Sequence, residues 1–282
     1  MRDCSFIFLG TGTSGGIPLI ACDCAVCTSD DPRDTRSRSG ACVTWIDDTG
    51  RRRVVLIDAT PDLRAQAVRH DLWRCDAVFF THNHVDHIFG LDEVRRFNHA
   101  MGGEPIDIYA EDYTLAALRR VYKHVFDAQD NVNKSFVATL IAHELREGVH
   151  VDLHGMRFTP IRLLHGRLPI FGFRIEPTRA EAGPPLALAY CTDTSAIPTQ
   201  TWAMLEGLET LVLDGLRHRH HPTHFTIDQA CDAALQVGAA QTYLTHIAHE
   251  VHHARVDAEL PEGIALSYDG LVLGAALPER LG

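Results

Sequence analysis

No stretch of this sequence approaches the apolar length of a bilayer-spanning helix, about 20 residues. The apolar run near the start, within "SFIFL" at 5–9, gives way to glycines and is too short for the hydrophobic region of an export signal. These two absences lead to the expectation of a cytoplasmic protein with no membrane partner. Basic charge is also short: 26 Lys and Arg against 37 Asp and Glu leave a net charge of -11. That excludes a large basic nucleic-acid face. Two local basic runs, at 33–38 and 51–53, read as solvated loops. No low-complexity linker or internal repeat interrupts the chain, so residues 1–282 read as one domain. Eight cysteines without an export signal do not make a disulfide framework. They are left as free thiols, metal ligands or small buried apolar residues.

What is present is an ordinary core-forming composition, 45% hydrophobic and 22% charged, with eighteen histidines that cluster. Runs at 5–9, 41–47, 52–58, 76–80, 106–110, 170–176, 187–193, 210–215 and 241–246 read as strands, and 149–165 as two. Helical spacing covers 62–73, 91–100, 112–126 and 226–237, the last opened by Thr226. "DTG" at 48–50 reads as a hairpin turn, 177–186 as a hairpin tip, and Asp269-Gly270 as the turn of a closing hairpin. Strands in two series, each followed by helices, suit two mixed β-sheets packed face to face with helices outside, an α/β sandwich.

The chemistry gathers at strand ends. Asp58 ends "VVLID", His82 and His84 follow "AVFFT", His165 ends "IRLLH", Asp193 ends "YCTD" and His246 ends "YLTH". A rigid scaffold holds reactive groups at such places. Within "THNHVDH", 81–87, His82 and His84 share a face in extended backbone, and Asp86 and His87 lie beyond, where a turn redirects them. One loop can then serve two ions. The first takes His82, His84 and His165, the second Asp86, His87 and His246, and Asp193 bridges both. Imidazole and carboxylate suit zinc, manganese or iron. "CDCAVC" adds Cys22, Cys24 and Cys27, one ligand short of a closed tetrahedral zinc site. His249, three residues after His246, is the candidate fourth ligand, with His252 and His253 as alternatives.

"THNHVDH" matches the His-x-His-x-Asp-His signature of the metallo-β-lactamase superfamily, and Asp58, His165, Asp193 and His246 follow in its motif order. The resemblance implies an αβ/βα sandwich with a dinuclear metal site at one edge of the sheets, and an aspartate at 58 that supports the histidine loop rather than binding metal. "FLGTGTSGGIP", the cysteine triplet, "LLHGRLPIFGF", "CTDTSA", "DGLRHRHHPTHFTIDQA" and "LTHIAHE" resemble the PhnP family of cyclic phosphodiesterases. That resemblance implies a structural zinc on Cys22, Cys24, Cys27 and His249, carried by a loop at 20–40, and a His224 beside the substrate phosphate. It also implies two active-site divalent ions (manganese or zinc, with iron as an option), a small cyclic phosphodiester substrate, and by analogy a homodimer.

The reaction expected is attack by a hydroxide bridging the two ions, with His224 as proton donor to the leaving oxygen and Asp86 orienting the hydroxide. "GTGTSGG" at 10–16 lacks P-loop and Rossmann spacing and reads as a tight turn or an anion-approaching loop. Of "HRHH", His220 and His221 read as solvated and His218 is left open. The competing expectations are a carrier resembling PqqB, which shares the cysteine triplet but has a degenerate metal motif, and a tRNA 3′-processing nuclease, which needs a basic arm. Neither an exported β-lactamase nor a glyoxalase-type thioesterase accounts for the missing export signal, His224 and the cysteines together.

Overall fold

The computed structural model describes residues 2–127, 129, 136–179, 185–277 and 281. The chain lays down β1 (Arg2–Gly10), β2 (Gly40–Ile46), β3 (Arg52–Ile57), β4 (Ala77–Phe79), β5 (Ile106–Ala110) and β6 (Leu140–Glu144). It continues with β7 (Val151–Leu153), β8 (Met156–His165), β9 (Leu168–Pro177), β10 (Leu188–Cys191), β11 (Thr210–Asp214), β12 (Gln241–Thr245), β13 (Ile264–Leu266) and β14 (Val272–Gly274). These form two seven-stranded sheets, β14-β1-β2-β3-β4-β5-β6 and β13-β12-β11-β10-β9-β8-β7. Both are mixed: β3 to β6 run parallel, as do β10 to β13, and the other pairs are antiparallel.

Alternation along the strands sets the layers. Phe6 and Phe8 of β1 face inward and meet Phe158, Phe171, Phe173 and Tyr190 of the second sheet. Ile7 and Leu9 face outward, under α1 (Leu63–Arg69), α3 (Arg95–Ala100) and α4 (Asp112–Val121). On the far side, Ile161, Leu163, Leu211 and Leu213 pack beneath α6 (Ile227–Val237). Strands buried on both faces read as the continuous apolar runs seen in the sequence. Helix α6 starts at a capping box, with Thr226 Oγ1 accepting from Gln229 N and Gln229 Oε1 accepting from Thr226 N, and ends at Gly238 with φ 68°. No helix among the described residues is long and apolar enough to cross a membrane.

Several expectations are corrected. Helix 62–73 stops at Arg69, because Leu72 pairs with Leu281 as an isolated bridge instead of continuing the spiral. The 112–126 helix breaks at Tyr122, whose hydroxyl donates to Ile88 O at 2.9 Å; α5 (Lys123–Phe126) follows. Strand β6 and helix α7 (His253–Asp257) had no clear periodicity. Asp269-Gly270 closes no hairpin: β13 and β14 lie in different sheets. The Asp269 carboxylate instead accepts from Thr11 N, Thr11 Oγ1, Ser37 N and Ser37 Oγ, so the turn ties three loops together. Part of the expected tip at 177–186 lies outside the described residues. The basic run at 33–38 is not a solvated loop throughout. Arg36 is fully buried, bonded to Asp34 Oδ1 and to the carbonyls of Ala248 and Val251.

Candidate metal centre

The strand-end residues converge at one edge of the two sheets. Asp58, Asp193 and His246 all take left-handed backbone, with φ of 63°, 55° and 58°. Such a conformation is uncommon for residues with a Cβ and clusters at functional sites. Here it turns each side chain off its strand axis at the point where the strand ends. Between β4 and α2 (Val85–Ile88) runs the histidine loop. Gly90, just after α2, lies so close to the Thr60 carbonyl that any Cβ would collide with it. That packing fixes the loop against the strand end that carries Asp58.

Ligand atoms of His82, His84 and His165 lie within 4.8 Å of one another, as do those of Asp86, His87, Asp193 and His246. Asp193 reaches both groups: its oxygens are 3.9 Å from His82 Nε2, 3.3 Å from His87 Nε2 and 3.4 Å from His246 Nε2. Asp86 Oδ2 is 3.4 Å from His87 Nε2 and 3.8 Å from His246 Nε2.

Hydrogen bonds behind the rings set which nitrogen faces inward. His87 Nδ1 donates to Asp58 Oδ2 at 2.7 Å, and His165 Nδ1 donates to Thr223 O at 2.8 Å. His82 Nδ1 lies 2.9 Å from Thr81 Oγ1. Asp58 also accepts from Thr81 N at 2.9 Å.

This arrangement fits divalent ions. The Nε2 atoms of His82, His87 and His246 are buried without a hydrogen-bond partner. Buried polar atoms left that way are rare and costly, about 1–3 kcal/mol each. The electrostatics call for positive charge at the same place. Burial resists charging His246, but Asp193 and Asp86 push it up to about 9. Burial opposes ionising Asp193, yet the neighbouring His246 and His87 hold it well below the usual carboxylate range. Where burial dominates, the imidazoles stay neutral, as ligands must: His165 falls to about 4 and His82 well below its ordinary value.

Beside this cluster stands a pair the sequence reading only half found. His224 Nδ1 donates to Asp214 Oδ2 at 2.6 Å, and the His224 ring stacks on His246 at 4.6 Å. Burial pushes His224 down to about 3, so its resting ring is neutral rather than a standing acid. Asp214 ends β11 as the other site residues end their strands, and that position was its one sequence signal. His221, expected to be solvated, is half-buried with its ring 5.1 Å from that of His224. His218 and His220 are exposed.

A second cluster lies along the chain from the first. Cys22, Cys24 and Cys27 place their sulfurs 3.4, 3.4 and 3.9 Å from His249 Nδ1. All are half-buried, and none of the cysteines is in a disulfide. The Cys27 amide donates to Cys24 Sγ at 3.4 Å and draws that thiol down to about 6, toward the thiolate a metal takes. His252 turns elsewhere, its Nε2 3.6 Å from Asp34 Oδ2, and the His253 ring lies 5.8 Å from that of Tyr268, with only its backbone amide donating to Asp34.

A family model described as a beta-lactamase superfamily domain matches residues 21–247. The chain belongs to the beta-lactamase superfamily. A solved structure described as a new diphosphatase from the PhnP family superposes on it with a TM-score of 0.84. It is 38% identical, covering 97% of this chain and 98% of that one. The superfamily fold is the αβ/βα sandwich described above. An octanoyltransferase of Porphyromonas gingivalis is 34% identical over 268 residues, 94% of this chain and 50% of the relative. The chain thus spans about half the length of that curated protein. A coenzyme PQQ synthesis protein B of Methylorubrum populi is 29% identical, over 74% of this chain and 72% of its own length.

Proposed function

We propose that this member of a metal-dependent hydrolase superfamily cleaves small phosphodiesters, cyclic ones included. His82, His84 and His165 would hold one divalent ion and Asp86, His87 and His246 a second, with Asp193 serving both. Cys22, Cys24, Cys27 and His249 would hold a zinc with a structural role. The observation that carries this reading is the convergence of three unpartnered, buried Nε2 atoms on Asp86 and Asp193 beside the Asp214–His224 pair. The likeness to a PhnP-family diphosphatase supports a phosphoryl centre as the target.

Two divalent ions held there would supply positive charge to phosphoryl oxygens and acidify water near neutral pH. The chain's own residues do the rest. Asp214 keeps the His224 proton on Nδ1, which leaves Nε2 to face the site. The ring can take a proton there from the attacking water, with Asp214 stabilising the cation formed, and return it to the leaving oxygen. Asp86, buried in the first turn of α2, orients the nucleophile. The test is metal analysis paired with hydrolysis of bis(p-nitrophenyl) phosphate and a 2′,3′-cyclic nucleotide under added manganese or zinc. About three ions per chain, one of them resisting chelation, together with turnover of both esters supports the reading. One tight zinc and no turnover with any metal would replace it with a non-catalytic carrier.

A further inference from the structure

The loop at 217–221 is not uniform. Arg217 and Arg219 both pair with Glu250, at 2.7 and 3.2 Å, and His218 lies 3.8 Å from Asp228. His221 is turned the other way. Its Nδ1 faces Thr223, 3.4 Å from the amide nitrogen and 3.1 Å from Oγ1. A backbone amide only donates, so Nδ1 accepts and the neutral ring carries its proton on Nε2. Nε2 is the ring's far nitrogen, so that N–H points away from Thr223, and among the described residues nothing accepts it.

The support behind the ring is rigid. Thr223 O accepts from metal-site His165, and the Thr223 methyl packs so closely on Gly166 that a Cβ there would sit 2.8 Å from it. Arg167, next in that turn, is exposed and has no ion-pair partner among the described residues. The His221 ring lies 5.1 Å from that of His224, whose ring in turn lies 4.7 Å from that of His165.

We propose that His221 determines specificity: its Nε2–H binds an oxygen of a second phosphoryl group, adjoining the one under attack, so that the preferred substrate is a diphosphate diester. This rests on the phosphodiesterase reading above. His221 belongs to none of the candidate ligand groups, so held by Thr223 it contributes to binding the distal phosphoryl and not to bond cleavage.

The test compares metal-loaded wild type, His221→Ala and His221→Gln on two substrates. ADP-ribose joins two phosphoryl groups; bis(p-nitrophenyl) phosphate has one. His221→Ala should raise KM for ADP-ribose by about 10- to 100-fold, the loss of one hydrogen bond to a charged group, with kcat, metal content and the single-phosphate ester unchanged. Glutamine, whose amide N–H reaches a similar position, should restore most of the loss. Equal impairment on both substrates, no effect on ADP-ribose, or a glutamine variant no better than alanine would overturn the assignment. Wild type that cleaves the single-phosphate ester but not ADP-ribose would refute the subsite and leave the diesterase standing. Cleavage of neither would refute the diesterase reading, and the subsite with it.

Discussion

Asp58→Asn tests how the histidine loop is held. The residue sits at φ 63°, a conformation asparagine also tolerates, so the substitution changes charge and donor pattern with little change of shape. The carboxylate accepts from Thr81 N at 2.9 Å, Thr81 Oγ1 at 2.9 Å and His87 Nδ1 at 2.7 Å. Asparagine keeps only one oxygen. If that oxygen stays with the Thr81 amide, the new NH2 group faces His87, forces Nδ1 to accept and moves the proton to Nε2, where a ligand lone pair is needed. If it turns to His87 instead, the Thr81 amide faces a donor. Either way one charge-assisted hydrogen bond is lost, about 1.5–3 kcal/mol, which is roughly 10- to 150-fold in an equilibrium constant. The affinity of the Asp86, His87, Asp193 and His246 group for zinc or manganese should fall by that factor. The cysteine-bound zinc should not change. The assay is competition between metal-stripped protein and a chromophoric chelator, with ions counted by elemental analysis. Unchanged affinity at both centres would refute the claim that Asp58 sets the His87 tautomer. Equal weakening at both would mean the fold had loosened.

Three further outcomes follow from the same contacts. His224→Ala should keep its metal content and lose turnover by about 10²- to 10⁴-fold; undiminished turnover in a steady-state assay removes His224 from the reaction. Arg36→Met leaves Asp34 buried without its partner and should cost about 3–5 kcal/mol in denaturant unfolding. Asp34→Asn in the same chain should recover part of it, and no recovery would place the cost elsewhere. Asp76, despite burial, is held below the usual carboxylate range by Arg74, the Val54 amide and Arg53. Its folded pKa is depressed, so the stability it adds is complete above the unfolded value, near pH 4, and is lost as pH falls toward the folded one. Asp76→Asn should therefore be less stable than wild type at neutral pH and converge with it in acid, as urea midpoints at several pH values would show.

The sandwich was legible because its strands are buried on one face or both, and alternation or unbroken apolar runs announce that directly. His82, His165, Asp193 and His246 were legible because each interrupts such a run at its end, and His84, Asp86, His87, the three cysteines and His249 by their spacing beside them. Asp214 met the same condition but shows its part only once the fold brings His224 to it from ten positions away. Arg36 could not be found, since an arginine among arginines looks solvated until the carbonyls of 248 and 251 surround it. The Asp269 turn failed for a related reason. Asp-Gly predicts a reversal of the chain, but whether the two arms then pair depends on edges already open elsewhere. Here β12 and β1 each offered one.

That turn also bears on the order in which the molecule can be made. Strand β1 leaves the ribosome well before residues 272–274, and one of its edges stays uncovered until they arrive to pair with it. Asp269 arrives just before, and only then are Thr11 and Ser37 gripped. Thr11 O in turn accepts from Ile247 N, the neighbour of His246. During synthesis the nascent chain therefore carries a complete set of prospective ligands well before the backbone that aims one of them is clamped. Truncation ahead of residue 269 would leave every metal-binding side chain in the polypeptide and still unseat His246, while exposing an edge of β1 open to association with other chains.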